Sequence, residues 1–356
     1  MTEEDERDSF KLFLVAAGLA SFLVLTLYLI KPVFHILLIL FTGILFALFL
    51  DAVASSLAEK TPLSRNWALT VVILVFFTLL LLLGWVAGNR IVEESLTLMK
   101  RIPQAGEVIN DFLREQEWGN YLLNNLPQGE KLWSLGRGMF GSVRGIFSSA
   151  IGVFVYLFFI LFTGIYLAAS PQLYLQGLLK LSPPKKRPQI RETLFAVGNA
   201  LRWWLVGQII SMVTVGAMTA IGLTVIGLPG ALALSLLTGL LSFVPTIGPL
   251  VAGVPLFMVA LVGDPPRLFG VALVYLAVHL LEGNVINPLV QQRTVSLPPV
   301  LLITAQILLG LLLGFLGLLV ATPLTIALIV MVQKFYVEDY LGDSVKVLGT
   351  HSESRE

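Results

Sequence analysis

Tyr275, His279 and Glu282 stand four and three residues apart, so a helix would carry all three on one face. They lie in an apolar run, 268–285. An ionisable group at membrane depth is costly, and by default it marks a substrate or ion path. A histidine beside a carboxylate can exchange protons near neutral pH. The plainer readings are a neutral structural pair, or a Glu282 that sits at the membrane surface near its helix end. Beyond it, Glu282-Gly283-Asn284 and Asn287-Pro288 form a polar break. Amides there either hold a polar solute or cap the helix. Gln208, Ser211, Thr214 and Thr219 share one arc of another apolar run, 205–226. Such a stripe lines a pathway or bonds neighbouring helices.

A second group of residues is conformational rather than chemical. The apolar stretch 231–262 contains Pro245-Thr246-Ile247-Gly248-Pro249, with Gly253 and Pro255 beyond. Proline removes a backbone donor and clashes with the preceding turn, so a straight helix is not expected through two of them. The final apolar run, 299–332, would measure roughly 50 Å as one helix, against a hydrocarbon core near 30 Å. Gly310, Gly314, Gly317 and Pro323 punctuate it. Each stretch is expected to be a helical hairpin. Pro245, Thr246, Gly248 and Pro249 are assigned to one tip; Gly314, Gly317 and Pro323 are assigned to the other. The stretches also echo each other, Gly248 to Leu256 against Gly317 to Leu324 with one gap. In hydrocarbon, a broken helix survives only where protein buries it or it lines a wet cavity.

The elements that must carry these residues follow from composition. Of 356 residues, 56% are hydrophobic and only 13% charged, where a soluble domain would carry about a quarter charged. Mean hydropathy is +0.88. The expected fold is all-α: a polytopic integral membrane protein with about six full transmembrane helices and two re-entrant or broken hairpins of opposite orientation. The full spans are 12–30, 33–50, 67–87, 146–168, 205–226 and 268–285, with Lys31-Pro32 as a turn. The first run is expected to be a retained helix rather than a signal peptide. Between spans lie an amphipathic segment, 89–145, and a basic segment, 170–202, broken at Ser182-Pro183-Pro184. The chain thus divides into 1–88, 89–145, 146–204, a transport core at 205–335, and a tail at 336–356. Arg202-Trp203-Trp204 is most simply an interfacial anchor. Asp264 before Pro265-Pro266 is expected to end a helix. The Lys/Arg distribution puts the Lys60/Arg65 loop, the basic segment and the N-terminus in the cytoplasm.

Several chemistries are set aside. There is no cysteine, so disulfides and thiol catalysis are excluded. The sequence has no HExxH, no Gly-x-Ser-x-Gly elbow and no Walker A motif, so it is not expected to be an enzyme or an ATP-driven pump. No cofactor, metal or nucleic-acid partner is expected at a net charge of +1.

At these residues the chain resembles the autoinducer-2 exporter family. The likeness rests on Pro245-Thr246-Ile247-Gly248-Pro249, on Glu282-Gly283-Asn284-Val285-Ile286-Asn287-Pro288, and on Gly310, Gly314, Gly317 with Ala321-Thr322-Pro323-Leu324. Where that family often has His-Pro after the connector, this chain has Leu297-Pro298-Pro299. The resemblance implies a secondary transporter of the bacterial inner membrane, exporting a small polar solute such as a quorum-sensing signal. It also implies a homo-oligomer, a pentamer. The two interrupted stretches lead us to expect alternating access with ion coupling, with Gln208, Ser211, His279, Glu282, Asn284 and Asn287 along the pathway and H⁺ or Na⁺ as the coupling ion. Two alternatives stand beside it: a sodium(lithium)/proton antiporter, and a non-transporting membrane scaffold.

Overall fold

The computed structural model describes residues 3–115, 150–262, 265–286, 288 and 298–343. They are helical, as composition predicts. In chain order the elements are α1 (Glu3–Lys60), α2 (Arg65–Glu115), α3 (Ala150–Ala169) and α4 (Pro171–Lys180). These are followed by α5 (Arg187–Ile226), α6 (Ala231–Leu241), α7 (Ile247–Leu261), α8 (Pro265–Leu281) and α9 (Pro299–Val332). Among the described residues, five helices are long and apolar enough to cross a membrane, or six if the bent α3–α4 pair is one span.

Three expected breaks are absent. The Lys31-Pro32 turn does not form, and α1 runs through Pro32 as one helix. One proline removes a single backbone donor, and a long apolar helix carries its ladder past it. With α1 continuous, Glu3 and Lys60 lie at opposite ends of one helix rather than on the same side of a turn. Likewise α2 continues from span three into the amphipathic segment without interruption. The second half of the basic segment is simply the start of α5.

Two packing units result. In the first, α1, α2 and α3 bury Leu50, Ala54, Ala68, Leu69 and Ala168. Its lower end is pinned at Asp51. Arg65 Nη2 donates to Asp51 Oδ1 at 2.6 Å and to the Ala168 carbonyl at 3.1 Å. Arg202 reaches the same carboxylate at 4.0 Å and donates to the Ala52 carbonyl. This corrects the anchor reading of Arg202-Trp203-Trp204: α5 is already helical there, so Arg202 turns inward to Asp51 and Trp204 is buried against Leu45, Leu201 and Ile326.

The second unit is built on α5. α8 runs antiparallel to it: Gly270 meets Ile226, Gly222 meets Val274, and Glu282 meets Ser211. The α6–α7 hairpin opens at the Ile226 end of α5, where Leu223, Leu228, Leu234, Val259 and Val271 pack together. Glu94 of α2 accepts the Ala233 N–H there at 2.9 Å, and Leu98 packs against Gly230. The amphipathic segment therefore begins as a clamp on the hairpin mouth. Along α2, Glu94 lies about 44 Å from Arg65, close to the full thickness of a bilayer.

α9 is a hairpin too. Gly314 has φ 70 and ψ −151, which only glycine adopts readily. Gln306 reaches Thr322 at 3.3 Å, whereas sixteen residues of straight helix would hold them about 24 Å apart. This second hairpin opens at the opposite end of α5: Ile326 and Val330 pack on Leu201 and Leu205, and Lys334 pairs with Glu192 at 2.8 Å. The two hairpins enter from opposite ends of α5, as the sequence predicts, and the tip of the first meets an arm of the second at Gln306.

Candidate functional site

The middle of α5 supplies Gln208 and Ser211, both buried. Ser211 Oγ donates to Glu282 Oε1 at 2.7 Å. The other carboxylate oxygen, Oε2, lies 2.9 Å from His279 Nδ1. The Glu282 and His279 side chains are only 12% and 18% exposed. At Glu282, α8 changes to a π-helical turn, Glu282–Ile286. Such turns widen the helix and recur at functional sites. Here the carboxylate at the start of that turn reaches Ser211 on α5 and stays within hydrogen-bond distance of His279. The Tyr275 ring stands edge-on to His279, with centroids 4.3 Å apart. Its hydroxyl donates to the Pro249 carbonyl at 3.1 Å. The face predicted from spacing is real, and it links the carboxylate to the first hairpin tip.

That tip is a break with most of its carbonyls engaged. Gln208 Nε2 donates to the Ser242 carbonyl. Gln306 Nε2 donates to the Pro245 carbonyl at 2.8 Å. Thr246 has φ 70, a strained conformation for a β-branched residue that costs on the order of 1–3 kcal/mol. A side chain on Gly248 would overlap the Leu241 carbonyl at 1.8 Å, and one on Gly317 would overlap the Leu309 carbonyl at 2.1 Å.

Gln306 was not singled out from sequence, because one amide in a leucine-rich run looks like any tolerated polar residue. It is fully buried and bridges the two hairpins, Pro245 on one and Thr322 on the other. The signal was present: a fully polar side chain eight residues before Gly314, with Thr322 eight after it.

Other predicted residues lie apart. Asn284 is exposed, and its Nδ2 donates to the Leu280 carbonyl, so it serves its own helix. Thr214 does the same with Ile210. Pro323 is not at a tip: the turn is at Gly314, and Pro323 lies buried nine residues along the second arm. Asn287 and Asp264 fall outside the described residues.

Two polar atoms here are buried without a partner among the described residues: His279 Nε2 and Gln306 Oε1. Each such atom costs about 1–3 kcal/mol unless something pairs with it in another state. The arrangement therefore sets a carboxylate against an imidazole and leaves one ring nitrogen and one amide acceptor for a polar group, on either side of the first tip.

The sequence is similar to known transport proteins along most of its length. The family described as AI-2E family transporter matches residues 12–336. YrrI of Bacillus subtilis, described as a "Putative transport protein", is 25% identical over 77% of this chain and 79% of its own length. YueF of the same organism, described in the same words, is 23% identical over 80% of this chain and 79% of its own. "Putative permease PerM" of Escherichia coli is 25% identical over 80% of this chain and 85% of its own.

Proposed function

The chain belongs to the AI-2E transporter family, and on that premise we propose that it exports a small polar solute by alternating access, coupled to an ion gradient. It is a multi-pass membrane protein of a transporter family. The observation that carries the finer reading is Glu282, a nearly buried carboxylate bonded to Ser211 and His279 at the level where a broken helix tip meets α8. A group of this kind at membrane depth couples binding to protonation. The opposed hairpins provide one gate for each side, the arrangement by which many secondary transporters build a midplane site. The first tip, held by Gln306 from the arm of the second hairpin, describes an occluded state in this reading. Both hairpins are re-entrant in it, and the basic end of the molecule (Lys60, Arg65, Lys180 to Arg191) faces the cytoplasm across the inner membrane. The exposed aromatic face of α3, Phe154, Phe158, Phe162 and Tyr166, suits contact between copies in a homo-oligomer as well as lipid.

The second reading is sodium(lithium)/proton antiport, favoured by the His279–Glu282 pair. One experiment separates the two. Proteoliposomes with a pH-sensitive dye inside are challenged with sodium, lithium, or a panel of small polar metabolites, with and without a pH gradient. Solute movement that depends on the gradient supports export. Proton release on cation addition alone assigns antiport. No response to any member of either set would overturn both.

A further inference from the structure

α4 is turned 88° from α3. α3 has 20 mostly apolar residues, the length that a bilayer core requires; with α3 as the span, α4 at right angles to its end lies along the membrane surface. α4 buries none of its residues within the chain, and Leu173 and Leu181 are 68% and 84% exposed. An amphipathic helix in that position sinks its apolar side chains to the acyl boundary. Between α4 and the first turns of α5 is a cleft of about 520 Å³, lined by Leu179, Arg187, Pro188, Arg191, Glu192 and Phe195. It is an open groove rather than an enclosed cavity.

The charge around the cleft is one-sided. Lys180, Lys185, Lys186, Arg187 and Arg191 fall within twelve residues. None of them has a carboxylate partner among the described residues. The one acid in the wall, Glu192, is held by Lys334 at 2.8 Å and so does not neutralise them. Arg187 uses only Nε, on the Ser182 carbonyl at 3.2 Å, and Arg191 lies over the Phe195 ring at 5.6 Å. The cleft lining itself is apolar, so the guanidinium groups of Arg187 and Arg191 stand at its rim, where their Nη atoms can take an oxyanion in a forked geometry. Leu179, Pro188 and Phe195 form an apolar wall beside them.

We propose that this cleft holds one anionic phospholipid of the adjoining leaflet, its headgroup phosphate on Arg187 and Arg191 and the upper part of an acyl chain along Leu179 and Phe195. The combination of paired arginines with an apolar wall at a surface helix selects a lipid over a soluble anion, which would use only the arginines. Juxtamembrane basic clusters recognise anionic lipid in this way. The proposal does not depend on the transport reading, only on α3 crossing the membrane.

The full chain is placed in nanodiscs of phosphatidylcholine and phosphatidylglycerol, and the lipid retained after detergent extraction is read by native mass spectrometry. Wild type is expected to retain phosphatidylglycerol selectively. Arg187→Gln with Arg191→Gln is expected to lower that selectivity roughly thirtyfold, about fivefold per basic group. Arg191→Gln alone removes no backbone hydrogen bond, so it tests the site without risk to the fold and is expected to give the fivefold loss. Arg267→Gln, at the opposite end of the molecule, is expected to change nothing. Selectivity unaltered in Arg191→Gln, or inorganic phosphate displacing the lipid as well as free phosphatidylglycerol does, would overturn the proposal.

Discussion

Gly248 and Gly317 occupy the same place in their two hairpins. Each lies just past a residue with φ near +70, Thr246 in one case and Gly314 in the other, and each passes the carbonyl of the opposing arm, Leu241 or Leu309. The sequence echo that pairs them, with its one gap, is thus matched by geometry: seven residues separate Leu241 from Gly248, and eight separate Leu309 from Gly317. The two tips are variants of one device, turned in opposite directions.

Gly248→Ala and Gly317→Ala should both damage the protein, since the added methyl meets backbone rather than a movable side chain. Overpacking of a core costs about 1–3 kcal/mol, and a backbone clash puts these sites at the top of that range. Gly283→Ala is the matched control, because nothing lies near its Cβ position. Thermal unfolding in detergent reads the difference. Equal melting temperatures for all three would mean that the tips are not packed in this way.

Glu282→Gln keeps the shape of the side chain and removes its charge. The fold should survive, and the pH dependence of transport should disappear. Ser211→Ala removes one bond to the carboxylate, worth about 1.5–3 kcal/mol when the acceptor is charged, so it should slow transport tenfold or more. Rates measured across a pH series in proteoliposomes test both. A Glu282→Gln protein that keeps the wild-type pH profile removes Glu282 from coupling.

How far the sequence went depends on what each signal measures. Helical period placed Tyr275, His279 and Glu282 on one face, because spacing along one element fixes direction. Proline and glycine placed both hairpins, since their backbone limits are local. The continuity of α1 through Pro32, and of α2 into its polar half, was not legible: a proline or a change in polarity states where a helix is weak, and whether it breaks depends on its neighbours. Asp51 directly follows the expected span 33–50, yet it joins Arg65 and Arg202, 14 and 151 residues away. Gln306 was missed for the same reason, because its partners come from another hairpin.

Gln306→Leu tests whether the tips are coupled. The substitution keeps the volume and removes the donor to Pro245 and Thr322. The Pro245 carbonyl still receives the Ile247 N–H at 2.8 Å, so the loss should stay near 1–3 kcal/mol rather than unfold the chain. If the amide joins two gates, the variant should also leak solute down its gradient without the coupling ion. A protein that melts lower but remains tightly coupled would confine Gln306 to a structural role.

The fold of α9 can be tested without a transport assay. A Cβ built on Gly310 would lie 3.7 Å from the Leu318 Cβ. Disulfides need Cβ atoms about 3.5–4.5 Å apart. In a straight helix, residues eight apart are separated by about 12 Å along the axis, beyond any bridge. Gly310→Cys with Leu318→Cys should therefore oxidise readily in membranes. The native chain has no cysteine, so there is no competing thiol. The bond is read as the loss of both thiols to a maleimide label under denaturing conditions, recovered on reduction. As a control, Leu301→Cys with Leu309→Cys has the same separation within the uninterrupted first arm, so both thiols should stay free there. Full labelling of both pairs would return α9 to a single straight helix, and with it remove the second gate.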